Sequence, residues 1–308
     1  MRLRILQIIQ VIALTLLWTA NAQDDPATFK SARTEIRLDV QVLQAKRVLT
    51  DLTRADFTVE DEGTLVDLTY FGREAEPLSL VLLLDVSGSM RRYIDEMSTA
   101  ATQALQNLRL GDRVAVMVYG RRPQLHLDFT ANFDQVSKAT RSASARNDTG
   151  AGTSTNEAVL AATKLLANSP GRRAILIVTD NGGLNEGLND DQVVREMTNS
   201  NTVLNAIAVG KAERPKGNSV NPYYTSTDVF ALAEATGGEA LRAAKAGSAL
   251  GGMLERIRAR YALAYNLPAD AKPSAFRKVR VKVNKKAEVR VRSGYYAPAA
   301  NASGAGLP

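Results

Sequence analysis

Four apolar runs constrain this chain more than any other feature: "LSLVLLLD" (78–85), "RVAVMVYG" (113–120), "RAILIVTD" (173–180) and "TVLNAIAVG" (202–210). Each has the length of a strand, and none alternates polar with apolar, so each must be covered on both faces. Around them lie segments with helical spacing, near 90–108, 132–143, 155–168, 190–199, 226–236 and 244–258. Strands buried on both faces and separated by helices specify an α/β fold with a doubly wound, mostly parallel sheet. A short "LHLDF" (125–129) interrupts the pattern and is expected as a hairpin or edge strand.

The flanks are built differently. In "TEIRLDVQVLQ" (34–44), Ile36, Leu38, Val40 and Val42 alternate on one face, and "DFTVEDEG" and "LVDLTYFG" follow with turn residues between them. Three antiparallel strands are expected there. After about Arg258 the same grammar returns in "YALAYNLP", "FRKVRVKVN" and "AEVRVRSGYYAP". Three strands with one apolar face need something to pack against. The two blocks are therefore expected to join into a small β-sandwich with the α/β domain inserted between them; the alternative is two separate extensions flanking that domain. The expected division is a signal peptide (1–22), an N-terminal β block (23–76), the α/β domain (77–258), a C-terminal β block (259–299) and a flexible tail (300–308).

The leader rests on Arg2 and Arg4, an apolar run from Ile5 to Trp18, and a small-x-small ending at Ala20, Asn21 and Ala22. It implies export to periplasm, cell surface or medium, with no membrane span left after cleavage. The run is shorter than a span requires and carries Gln7 and Gln10. Loss of Arg2 and Arg4 would take two charges from the formal +7 and leave the chain basic. Cysteine is absent and His126 is the sole histidine. That count removes thiol nucleophiles, thiolate metal sites, Ser-His-Asp chemistry and multi-histidine zinc centres.

In an open α/β sheet, ligands bind beyond the carboxyl ends of the strands, where strand order reverses. The first run ends at Asp85, followed by Ser87, Gly88 and Ser89; the third ends at Asp180, followed by "NGG". A loop, "NDTGAGTSTNEAV" (147–159), carries Thr153 just ahead of Ser154 and Glu157, whose spacing predicts a capping box. Asp85, Ser87, Ser89, Thr153 and Asp180 thus offer two carboxylates and three hydroxyls. Hard, mostly neutral oxygens suit a hard divalent cation, Mg²⁺ first, then Mn²⁺ or Ca²⁺. The alternate spacing lets one tight loop aim three oxygens at a point, with Gly88 relieving its crowding. Taken singly, Ser89 could instead cap a helix, Thr153 form a turn, and the aspartates face solvent.

"DVSGS", the downstream "GAGTS" and the strand "ILIVTD" together resemble a von Willebrand factor type A domain with a metal-ion-dependent adhesion site, over roughly residues 77–258. With "YALAYNLP", "FRKVRVKV", "RSGYYAP", "DFTVEDEG" and "EPLSLVLLLD", the resemblance extends to the secreted bacterial VWFA-related Acidobacterial domain family. It implies that Ser87, Ser89 and Thr153 bind the metal directly, that Asp85 and Asp180 assist directly or through water, and that Thr155 is the alternative to Thr153. In that family an acidic residue often follows the last aspartate closely, whereas here the loop reads "TDNGGLNEG".

The resemblance implies a non-enzymatic, metal-bridged module that binds an acidic side chain of a partner protein. Two other readings stand beside it. One is a Mg²⁺-dependent phosphatase-like hydrolase with Asp85 as nucleophile, although the acid/base position two residues on is Ser87. The other is a structural envelope protein whose metal only stabilises the fold. The basic "FRKVRVKVNKKAEVRVR" (276–292) is expected as a solvated strand face with weak contact to anionic envelope surface. Nucleic-acid binding is not expected from an exported chain with few interleaved aromatics.

Overall fold

The computed structural model describes residues 34–73, 76–146, 149–215 and 223–298. The expected leader and tail lie outside the described residues. The strands are β1 (Glu35–Gln44), β2 (Arg47–Val48), β3 (Phe57–Asp61), β4 (Thr64–Val66), β5 (Leu68–Arg73), β6 (Leu78–Asp85), β7 (Arg113–Tyr119), β8 (Pro123–Thr130), β9 (Arg172–Thr179), β10 (Leu184–Glu186), β11 (Thr202–Val209), β12 (Tyr224–Ser226), β13 (Ala240–Ala243), β14 (Tyr261–Asn266), β15 (Phe276–Val283), β16 (Glu288–Arg290) and β17 (Gly294–Tyr296). The helices are α1 (Arg91–Ala104), α2 (Phe133–Ala143), α3 (Thr155–Leu166), α4 (Asp190–Asn199), α5 (Val229–Thr236) and α6 (Ala246–Arg258).

The central sheet runs β13-β11-β9-β6-β7-β8, parallel except for β8, which closes one edge antiparallel to β7 as a hairpin. All eight residues of β6 are buried. Leu80, Leu82 and Leu84 pack with Ile94 and Met97 of α1, Val136 of α2 and Leu250 of α6. Val81 and Leu83 face the opposite layer, with Ala158 of α3, Val193 of α4 and Leu232 of α5. Each such leucine contributes about 1.5–3 kcal/mol by burial. This is the doubly wound α/β architecture anticipated above.

The flanking blocks interleave. β1 pairs with β14, which pairs with β5, while β3 pairs with β15, and the two sheets share a core containing Leu38, Val59, Leu263 and Val281. Residues between β5 and β14 are thereby inserted in a sandwich made from both ends. The three expected N-terminal strands divide differently. "LVDLTYFG" breaks at Asp67 into β4, which joins β3, and β5, which joins β14 in the other sheet. "AEVRVRSGYYAP" likewise splits into β16 beside β1 and β17 beside β15. A sandwich needs inward residues from two opposed sheets, so a connecting stretch changes sheet at its polar break.

Two buried ionic clasps join the layers. Asp39 of β1 accepts from Arg172 Nε at 2.7 Å and from Arg260, and the Arg172 guanidinium also donates to the carbonyls of Ile257 (2.6 Å) and Arg258 (3.1 Å) at the end of α6. Burial opposes ionisation of Asp39, but Arg172 and Arg260 outweigh it and hold the carboxyl below its ordinary range. Buried Glu239 pairs with Arg256 at 2.7 Å and with Arg290 of β16 at 3.1 Å. The stretch read as a basic face divides by depth: Lys282 and Arg280 are exposed and lie against Glu60, while Arg277 is buried on Asp61 at 2.7 Å.

Asp39→Ala leaves two buried guanidiniums without their carboxylate, and unfolding in urea is expected to show a loss of about 3–5 kcal/mol. Asp51→Ala, which removes an exposed pair with Lys285, should cost less than about 1 kcal/mol.

Candidate metal centre

β6 and β9 are adjacent, and the chain turns from β6 to β7 on one side and later to β9 on the other, so strand order reverses at the carboxyl end of β6. Asp85 sits there, fully buried. Its Oδ1 accepts from the Ser87 main-chain N–H at 3.0 Å, and its Oδ2 accepts from Thr179 Oγ1 at 2.8 Å. Ser87 is half-buried and Ser89 exposed, their hydroxyl oxygens 3.4 Å apart. Ser89 Oγ donates to Asp180 Oδ2 at 2.7 Å. Four of the five expected residues are therefore joined: Asp85 beneath, and Ser87, Ser89 and Asp180 toward the surface.

Thr153 reaches the same edge by its main chain. Its carbonyl accepts from Leu184 N at 2.9 Å, which seats the loop against the segment after Asp180, and the side chain is half-buried. Thr155, the alternative, is fully buried at the start of α3, and among the described residues its hydroxyl has no hydrogen-bond partner. A Cβ at Gly183 would lie 2.3 Å from that hydroxyl, so glycine is needed for the Asp180 loop to pass.

Three local expectations are corrected. Ser154 occupies the N-cap of α3 but makes no capping bond. Its N–H is engaged with Gly120 O at 2.8 Å, and the orphan N–H of Asn156 is met by Asn185 Oδ1 from β10, also at 2.8 Å. A Cβ at Gly88 would meet nothing within 4 Å, so crowding does not require glycine there. Ser89 is not a helix cap: Met90 holds that place for α1, leaving the serine hydroxyl to Asp180.

The sequence reading missed Thr179 and Tyr119. Thr179 is the one polar residue within the apolar part of its strand, directly before Asp180, and the register of β6 on β9 carries it to Asp85. Tyr119, which pairs with Asp85 across β6 and β7, is fully buried, and among the described residues its hydroxyl lacks a hydrogen-bond partner. Burial first, and then the neighbouring Asp85 carboxylate, push the phenol well above its ordinary range.

The acidity of Asp85 is set by burial, which pushes its carboxyl up to about 6; bonds from Ser87 and Thr179 pull it down, and nearby Asp180 pushes it up. A buried carboxylate facing a second carboxylate across two hydroxyls is a set of oxygens without a positive charge among them. Such a group fits a hard divalent cation. Among the described residues there is no cluster of three or more His, Cys, Asp or Glu side chains, so hydroxyls make up the rest of the oxygen set.

Residues 80–183 match the family model for the von Willebrand factor type A domain. The chain carries a type A domain. That match spans β6 to the Asp180 loop and stops short of the sandwich. Among solved structures, an aerotolerance-related membrane protein from Bacteroides fragilis is 17% identical over 58% of this chain and 98% of its own, with a TM-score of 0.46. A von Willebrand factor type A protein from Catenulispora acidiphila is 12% identical over 89% of this chain and 76% of its own, at 0.45. Proximal thread matrix protein 1 from the mussel byssus, with a zinc-occupied MIDAS motif, is 12% identical over 60% and 48%, at 0.42. A search of curated proteins returns no match.

The type A domain's buried aspartate gives a pH signature. Because the folded-state pKa lies above the unfolded one, Asp85 adds stability at low pH that is lost as pH rises through about 6. In chelator, wild type should lose on the order of 2 kcal/mol relative to Asp85→Asn between pH 4.5 and 7.5. Urea unfolding of both proteins at the two pH values measures it; parallel profiles would show that the carboxyl titrates normally.

Proposed function

We propose that this protein is an exported envelope or secreted binding module whose type A domain takes an acidic side chain of a partner protein through a divalent cation, Mg²⁺ first. The observation that carries the reading is the contact of Ser89 with Asp180 above the Ser87–Asp85 turn, at the strand-order reversal. Ser87, Ser89 and Asp180 would hold the ion, with Thr153 from the α3 loop and Asp85 behind. When bound, the cation supplies an electrophilic position that a partner's carboxylate can fill.

The chain's own residues do the rest. Thr179 and the Ser87 N–H hold both oxygens of Asp85 in place. Gly182 N–H donates to Asp180 Oδ1 at 3.2 Å, fixing the second carboxylate. Asn181, with a positive φ of 61°, turns the loop, and its side chain accepts from Val229 N at 3.1 Å. A preset arrangement loses little freedom when it binds.

The same geometry disfavours the hydrolase reading. A nucleophilic carboxylate must present an oxygen to substrate, whereas Asp85 is fully buried with both oxygens bonded. That favours an interaction module without turnover, with a purely structural ion as the other reading. Export accords with the leader expected over 1–22, and among the described residues no helix is long and apolar enough to cross a membrane.

Titration calorimetry with Mg²⁺ and Mn²⁺ is expected to give one site per chain, weakened more than about tenfold by Ser89→Ala or Asp180→Ala. Envelope extract passed over immobilised wild type and Ser89→Ala, each with Mg²⁺ and with chelator, should yield partners only from wild type with Mg²⁺. The same partners in all four lanes would end the metal-bridged reading, and cation binding without partners would favour a purely structural ion.

A further inference from the structure

The opposite end of the α/β sheet opens onto a cleft of about 730 Å³ against the sandwich, lined by the start of β9, the end of α4, β1 and β17. Such a volume suits a small ligand. Four arginines line it: Arg37, Arg173, Arg195 and Arg292. Arg37 is balanced, lying 3.3 Å from both Glu35 and Glu76. Among the described residues the other three have no carboxylate partner.

Arg292 is 92% buried (8% exposed) and has no carboxylate partner among the described residues. Its guanidinium donates to the carbonyls of Thr198 and Arg37, each at 2.8 Å, and its buried Nε–H has no partner among the described residues. Arg173 is half-buried and donates to the carbonyls of Ser169 (2.9 Å) and Ser200 (2.7 Å), again with no ion pair among the described residues. A guanidinium has five N–H donors, and these bonds engage two on each. Arg195 is exposed, its guanidinium 4.4 Å from the ring centroid of Tyr296. The carboxylate lining the cleft besides Glu35 is Glu196, next to Arg195.

Removing a guanidinium from water without a counter-ion is costly, and carbonyl dipoles offset only part of it. Burial pushes Arg292 down to about 10, and burial together with nearby Arg37 lowers Arg173. Three cations without an ion pair among the described residues, set against Glu196, leave two positive charges facing one cavity. Planar guanidiniums match phosphate and carboxylate oxygens with paired N–H bonds, and a doubly charged anion matches the excess. The Tyr296 ring and Pro298 add an apolar wall.

We propose that this cleft is a second site, binding a small soluble phosphate monoester through Arg173, Arg195 and Arg292. The site lies at the sheet end away from Asp85 and needs no cation. Calorimetry in chelator at pH 7.5 and constant ionic strength tests it with phenyl phosphate, benzoate, and vesicles containing phosphatidic acid. Saturable binding of phenyl phosphate is expected for wild type and equally for Ser89→Ala, which alters only the metal centre. Arg195→Ala, which removes an exposed side chain, should weaken it about tenfold, and Arg173→Gln should abolish it. No saturable binding to wild type, unchanged affinity in Arg195→Ala, or equal affinity for benzoate would each overturn the proposal. Binding to vesicles without binding to phenyl phosphate would overturn it too, in favour of a lipid surface.

Discussion

The position of Asp85 depends on a strand that cannot slide. Alternating polar and apolar faces normally fix strand register, because a one-residue slip turns the core face to water. β6 lacks that safeguard, being apolar on both faces. Polar pins at its two ends replace it. At the start, Leu78 N–H donates to buried Asp112 at 2.8 Å, and Pro77 O accepts from Arg172 N at 2.9 Å. At the far end, Val86 N–H donates to Tyr119 O at 2.9 Å, and Thr179 holds the Asp85 carboxylate. A shift of one residue would break all of these while gaining no burial.

Buried charge does for the whole molecule what those pins do for one strand. Asp39 draws together β1, the first residue of β9 and the segment leaving α6. Glu239 draws together α6 and β16 and accepts from Gln41 of β1 at 3.4 Å. Inside the sandwich, Asp61 accepts from Tyr265, Tyr295 and Arg277 at 2.7–2.8 Å. Ion pairs of this kind add little net stability, since desolvation offsets most of their attraction. They do penalise any packing that leaves one member unpaired. Hydrophobic contact alone would let the sandwich rotate against the α/β layer; these bonds accept one orientation.

The α/β sheet was legible because its strands are continuous apolar runs, and Asp85 and Asp180 because each ends such a run. Ser87 and Ser89 followed from their alternate spacing. What local pattern could not show was anything decided by a partner strand. Thr179 reads as one more strand residue until β6 is laid beside β9. By local pattern the N–H of Asn156 belongs to Ser154, but β10 delivers Asn185, a residue 29 positions away. Asp67 looks like an ordinary strand polar residue, yet it is where the chain leaves one sheet for the other. The arginine cleft was hidden for the same reason: Arg173, Arg195 and Arg292 belong to three separated segments, and in the sequence Arg292 is one member of a basic run.

The interleaving of β1 with β14 and of β3 with β15 also dictates when the molecule can become itself. Asp39 must wait for Arg260, 221 residues later, and Tyr295 must come back to Asp61 across 234. The α/β layer closes over much shorter distances, so it is equipped to form first while the opening strands remain without partners. Long-range pairing of this kind slows folding and leaves strand edges exposed meanwhile. The opening strands, 35–73, therefore hold no complete core until the strands of 261–296 have been made and have come back to them.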